Sequence, residues 1–301
     1  RIALTPNDAE SLYQLGMYEI IFEPKKAGER LSHSIQGDQH QHQTAARALL
    51  EALPSVISEP NPTFRLVLAG QALARQGEWP TAQIAFSMVT RMDPAYAEGW
   101  ALLGNAQSYM GKNSYPALEK AIQLAPQSQI TRAMLATYWR NEKDTLKSLK
   151  IWQELAIQEP REPFWQQELG TTYIQAGDIQ AAFEAFQKAA SLAKNDPQYW
   201  MNLARFCADY KVGLAVEGLE AARKGLELTA SNGEALDVMG LVLLALNDTA
   251  SAERFFMESL RKDPYAATVN LHLGQLYLRT DQVQEAQIYL KRCIQFAQNE
   301  E

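Results

Sequence analysis

Basic charge is in short supply in this sequence: 28 Lys and Arg stand against 35 Asp and Glu, for a net charge of -7. Such a balance disfavours capture of a phosphate backbone, so nucleic acid is not an expected partner. Cysteine is rarer still. Cys207 and Cys293 are too far apart to form a CxxC unit, which argues against a zinc knuckle, a redox motif and a disulfide framework. Long apolar runs are also missing. The richest stretch, Leu236 to Leu246, is interrupted by Asp237 and falls well short of the ~20 residues that cross a bilayer. No Gly-rich phosphate loop, HExxH, GxSxG or kinase signature occurs, so neither catalysis nor a cofactor is expected. The first residue is Arg1 rather than Met; a cytoplasmic location is favoured, with an extracytoplasmic one left open because a leader or tether can precede such a start.

What is present is an ordinary folding composition, 47% hydrophobic and 21% charged, arranged with a period. Small residues preceded by a hydrophobe stand at Gly70, Gly104, Ala136, Gly170, Ala204, Gly240 and Gly274, spaced by 34, 32, 34, 34, 36 and 34. A second small site follows each, at Ala82, Ser114, Ser148, Ala182, Gly218, Ala252 and Ala286. Four residues later come Phe86, Leu118, Trp152, Phe186, Ala222, Phe256 and Leu290. Proline closes four of the units at Pro94, Pro126, Pro160 and Pro264. Apolar residues between the markers recur at three and four, which is helical spacing. Turn residues such as Gly77, Gly111, Gly177 and Asn247 tolerate left-handed backbone and end a first helix in each unit. Every unit therefore reads as two helices that can bury their apolar sides only against the next pair.

Trp100-x2-Leu103-Gly104, Leu169-Gly170-x2-Tyr173 with Ala182-x3-Phe186, and Leu273-Gly274-x2-Tyr277 with Ala286 resemble the tetratricopeptide repeat. The resemblance implies an all-α, right-handed superhelical solenoid of antiparallel helix pairs. Seven repeats are expected at about 63–96, 97–128, 129–162, 163–196, 197–232, 233–266 and 267–300. Residues 1–36 read as a degenerate helix pair, with Gly16 and Leu31 in the small and large roles, and 37–62 as a polar loop plus an extra helix over 44–57. Altered helix lengths are expected in the second repeat, which is two residues short, and in the fifth, two residues long.

The family lines its concave face with the first helix of each pair. Carried onto this register, positions three before, one after and four or five after the small site give Gln71, Arg75, Asn105, Tyr109, Thr137, Arg140, Asn141, Gln167, Thr171, Gln175, Met201, Arg205, Asp209, Asp237, Gln275 and Arg279. Amides there can hydrogen-bond an extended peptide, and arginine can grip a carboxylate with two donors. The Lys and Asn pattern by which some members clamp a C-terminal carboxylate is not reproduced; Asn105, Asn202 and Arg205 are partial echoes. Residues 105–151 carry seven Lys or Arg and three acids, a polarity suited to orienting an acidic partner or to pairing copies head to tail, although such a run is more often a solvated helix face.

Other side chains have plainer explanations. His33, His40 and His42 cluster, but a mobile Gln-rich loop lacks the ligand count and supporting shell of a metal site. His272 has no carboxylate or nucleophile in register to make it a catalytic base. Trp100, Trp139, Trp152 and Trp200 fall on packing positions, as do both cysteines. Ile288, Leu290, Ile294 and Phe296 of the last helix exceed what one preceding helix covers, leaving an apolar surface for further sequence or self-association. The expected function is a noncatalytic protein-protein interaction scaffold that binds a peptide or protein segment on its concave face. The alternative is a regulatory or substrate-recruiting portion of a larger enzyme or membrane-anchored envelope or secretion component.

Overall fold

The computed structural model describes residues 8–36 and 42–297, so His40 lies outside the described residues. Among the described residues every regular element is helical, 17 α-helices and one π-helical turn. None of these helices is long and apolar enough to cross a membrane. The chain forms two compact units, Arg1–Asp144 and Thr145–Glu301.

The first unit runs α1 (Ala9–Phe22), α2 (Pro24–Ser34), α3 (Gln43–Ser58), α4 (Pro62–Arg75), α5 (Trp79–Met92), α6 (Ala97–Tyr109), α7 (Tyr115–Leu124) and α8 (Gln129–Asn141). Here α1 pairs with α2, α4 with α5 and α6 with α7, while α3 lies between α2 and α4 and α8 packs on α6. The second unit opens with α9 (Thr145–Gln158) and continues with α10 (Pro163–Ala176), α11 (Ile179–Leu192), α12 (Pro197–Tyr210), the π turn Leu214–Gly218, α13 (Leu219–Leu228), α14 (Gly233–Ala245), α15 (Thr249–Lys262), α16 (Ala267–Arg279) and α17 (Val283–Ala297). Its pairs are α10 with α11, α12 with α13, α14 with α15 and α16 with α17. The short second repeat has a second helix of only 10 residues, α7, and the extra residues of the fifth are absorbed by the π turn before α13.

Small sites bring paired helices together. A Cβ placed on Gly70 would lie 2.5 Å from the Phe86 ring, and one on Gly240 equally close to Phe256; Gly104 meets Leu118 at 2.7 Å, Gly170 meets Phe186 at 2.8 Å and Gly274 meets Leu290 at 2.6 Å. Gly16 and Leu31 repeat the arrangement in the first pair at 2.8 Å. Each large side chain fills the space the missing methyl leaves, so the two axes approach more closely than two ordinary side chains allow.

Helix ends follow from local chemistry. Asn61, Asp178, Asp196, Asn232 and Asp248 accept backbone N–H bonds at the starts of α4, α11, α12, α14 and α15, satisfying donors the helix itself leaves open. Seven residues after each small site the backbone turns left-handed, not only at Gly77, Gly111 and Gly177 but also at Lys143, Lys211, Asn247 and Asp281, with φ between 57° and 80°. The turn geometry thus outlasts the glycine that favours it.

Tryptophans do more than fill the core. Trp152 is buried, but Trp100 and Trp200 are half-buried and donate Nε1–H to the carbonyls of Pro94 and Lys194 at 2.9 and 3.0 Å. Each ring therefore ties down the turn entering its own helix, a role that packing position alone does not reveal. Cys293 is half-buried rather than buried. On α17, Ile288 and Ile294 are 51% and 60% exposed, whereas Leu290 sits beneath Gly274 and Phe296 against Tyr265.

Candidate functional site

First helices within the second unit, α10, α12, α14 and α16, lie side by side and are linked by polar side chains. Asn202 Nδ2 donates to Gln167 Oε1 at 2.7 Å, joining α12 to α10. Arg205 donates to Asn202 Oδ1 at 3.4 Å and to Glu234 Oε1 at 2.7 Å, joining α12 to α14. Asp237 Oδ1 lies 2.7 Å from His272 Nδ1, joining α14 to α16. Arg279 completes the series by donating to the Leu244 carbonyl at 3.0 Å, where a cation also meets the negative end of α14.

Beside these links is a cavity of about 290 Å³, lined by Gln167, Thr171, Ile174, Phe186, Asn202, Arg205, Phe206, Asp209 and Tyr210. Phe186, Phe206 and Ile174 give it an apolar wall, and the α12 side chains give it a polar rim. Phe206 packs 5.2 Å from Phe186 and 5.0 Å from Tyr210, ring centroid to ring centroid, so the wall is braced. Burial raises the pKa of the Asp209 carboxyl above its ordinary value, with His272 and Arg205 pulling it back down.

Gln167, Thr171, Arg205 and Asp209, four of the residues carried over from the family register, meet in this cavity. Gln175 and Gln275 are exposed outside it. Several anticipated roles change. Arg205 and Arg279 are already engaged, so neither is an idle carboxylate clamp. Thr171 returns its hydroxyl to the Gln167 carbonyl of its own helix, and Thr137 does the same with Ala133, which commits both donors. Met201 is buried and packs toward Gly225 on α13, because an apolar side chain at that position turns into its own pair. Asp237 is also buried; contrary to the sequence reading, it supplies His272 with a carboxylate. The missed signal was the position two before the small site, which carries Asn202 and His272.

In the first unit Gln71 and Asn105 are half-buried and Arg75 is exposed. Tyr109 is 56% exposed yet stacks flat on Trp79, centroids 3.9 Å apart. Asn141 donates to Ser108 Oγ at 3.3 Å, and Arg140 is half-buried. His42 stacks on Tyr13 at 4.5 Å with Nε2 2.5 Å from Glu10, while His33 is exposed on α2. No group of three or more metal-ligating side chains assembles among the described residues.

Known proteins share this construction. The tetratricopeptide repeat family profile matches residues 166–196 and 267–300. The BBSome complex member bbs-4 of Caenorhabditis elegans is 32% identical over 135 residues, covering 43% of this chain and 29% of that protein. The mitochondrial import receptor subunit TOM70 of Rattus norvegicus is 26% identical over 183 residues, 54% of this chain and 30% of its own length. The chain thus spans less than a third of these relatives. A chain of the APC/C hetero-tetramer Cut9-Hcn1 superposes with a TM-score of 0.60 at 16% identity, over 96% of this chain and 61% of that one. A tetratricopeptide repeat protein from Parabacteroides merdae gives 0.57 at 15% identity, over 78% and 93%. The family profile falls on two of the helix pairs whose small and large sites interlock, and α4 with α5, α6 with α7, α12 with α13 and α14 with α15 pair in the same way, so the chain carries tetratricopeptide repeats in a helix-pair fold of that kind.

Proposed function

We propose that this protein is a noncatalytic scaffold that holds a peptide or protein segment against the first-helix face of its second unit. The observation that carries the reading is the cavity bounded by α10, α11 and α12, apolar at its wall and polar at its rim. An extended segment could place one side chain there while its backbone amides meet Gln167, Asn202 and Gln175, a division of labour typical of peptide recognition. The cross-helix bond holds the Gln167 and Asn202 amides in place before a ligand arrives, which reduces the ordering cost of binding. His272 with Asp237 does not make a catalytic pair by itself, since no hydroxyl or thiol nucleophile is hydrogen-bonded to the imidazole among the described residues. A place within a larger assembly is favoured by the relatives, one named as a complex member and the other as an import receptor subunit, each over three times the length matched.

Affinity capture followed by mass spectrometry tests the reading, using the wild-type chain, a Gln167→Ala/Asn202→Ala variant and an outer-face Glu184→Ala/Lys188→Ala variant. Partners held in the groove should fall about tenfold with the first variant, as hot-spot losses do, and persist with the second. An unchanged partner set on the groove variant would refute the reading.

A further inference from the structure

One charged group in the cavity is left over. Arg205 is held by Glu234 and Asn202, and Asp237 is held by His272. Asp209 is exposed to solvent, and its carboxylate makes no hydrogen bond or contact ion pair among the described residues; Arg205 and His272 act on it only through their field. It stands in the last turn of α12, where the helix dipole adds no stabilisation to an anion, and it lines the same cavity as the apolar flanks of Ile174, Phe206 and Tyr210. A volume of about 290 Å³ lies at the lower edge of pockets that enclose a small molecule; it suits one long side chain. The surroundings select the charge of that side chain. The second unit carries 21 Asp and Glu against 15 Lys and Arg, so its net charge of -6 is nearly all of the chain's -7.

Three kinds of side chain can be compared at this place. An acidic one would meet Asp209 and the field of the whole unit, while the neighbouring Arg205 is already neutralised by Glu234. A purely apolar one would strip water from Asp209 and leave it without a partner, which is costly. A long cationic side chain satisfies both surfaces at once, its methylenes along the apolar wall and its head on the carboxylate. The exposed ring of Tyr210 also attracts a cation.

We propose that this cavity receives a lysine or arginine side chain of an extended protein segment, its cationic head on Asp209 and its stem along Ile174, Phe206 and Tyr210. The proposal rests on the groove reading above and adds the chemistry of the segment that the groove selects.

Selection of displayed random peptides, each about a dozen residues long, on the immobilised full chain supplies the probes, and fluorescence anisotropy of the synthesised binders supplies the affinities. Binders that are lost on Gln167→Ala/Asn202→Ala should share one position occupied by Lys or Arg. Replacing that residue by norleucine or Glu should weaken binding about tenfold or more, a partly desolvated charge contact having been removed. Asp209→Asn should abolish the preference, Asp209→Glu should retain it, and Glu220→Gln on α13 should leave it unchanged. The Asp209→Glu result separates lost charge from lost folding. Groove-dependent binders without a basic position, or basic binders indifferent to Asp209→Asn, would overturn the cation assignment while leaving the groove reading in place. A selection that yields no groove-dependent binder would overturn both.

Discussion

Gly170→Ala tests the interlocking of small and large sites more sharply than any other single change. By helix propensity alone the substitution in the middle of α10 should stabilise the protein by about 1 kcal/mol. The added Cβ, however, would lie 2.8, 2.9 and 3.0 Å from three carbons of the Phe186 ring, distances at which one partner has to move. Overpacking of this kind costs about 1–3 kcal/mol, so the expected result is a net loss of about 0–2 kcal/mol instead of a gain. Phe186→Leu removes the ring and should cost about 1–2 kcal/mol by itself through lost packing. Combined, the two should be less damaging than their sum by about 1 kcal/mol, because the shorter side chain makes room for the new methyl. Gly177→Ala is the contrasting case: nothing lies within 4 Å of its added Cβ, but its φ is 80°, so its cost of about 1–2 kcal/mol comes from the backbone and should add to Phe186→Leu without coupling. Helix-pair arrays need not unfold in one step. Urea midpoints by circular dichroism should therefore be read beside amide exchange in α10 and α11. A Gly170→Ala variant more stable than wild type by the full propensity gain, and additive with Phe186→Leu, would refute the close contact.

Burial, and secondarily Glu217, pushes the Cys207 thiol up to about 12. The neutral thiol is the form the fold favours, so its contribution to stability is present below the ordinary value of 9.0 and is lost as pH rises through the folded value. Near pH 8 a thiol reagent should label half-buried Cys293 and spare Cys207 until the chain is unfolded; equal native labelling rates would contradict this. Lys143→Gly, at φ 64°, should raise the urea midpoint by the equivalent of about 1 kcal/mol, since glycine carries no left-handed penalty. Asp237→Ala should cost about 1–3 kcal/mol by leaving His272 Nδ1 without its buried partner, and Asp237→Asn should recover part of that loss because the amide oxygen still accepts; equal losses would argue against the hydrogen bond.

The helix pairs were legible because their signal is short-range and repeated. Glycine at position 170 and phenylalanine at 186 touch within one pair, and the same spacing recurs along the chain, so degenerate members such as Ala204 with Ala222 stand out against the rest. Left-handed turns were legible only where glycine or asparagine marked them. Lys143, Lys211 and Asp281 adopt the same geometry without the residue type that announces it, since the packed pair imposes the turn at a cost of about 1–2 kcal/mol. The tethering of inter-pair turns by Trp100 and Trp200 went unread for a different reason: a half-buried indole fills a packing position whether or not its N–H finds a carbonyl.

Groove chemistry was legible only in outline, and the physical reason lies in how neighbouring pairs are offset. Gln167 with Asn202, Asp237 with His272 and the Leu244 carbonyl with Arg279 are each 35 residues apart, one more than the commonest spacing of the small sites. Residues at the same place in successive repeats are therefore not the ones that meet; a side chain meets the position displaced by one. Reading each first helix separately gave an inventory of donors and charges, with Arg205 apparently free and His272 apparently alone. Once the displacement is applied, most of those groups cancel in pairs across helices. What remains to recognise a ligand is the remainder after that cancellation, which in the cavity of the second unit is an anion against an apolar wall. Selectivity in an array of this kind is consequently set less by which polar residues its inner face carries than by which of them the neighbouring repeat leaves unsatisfied.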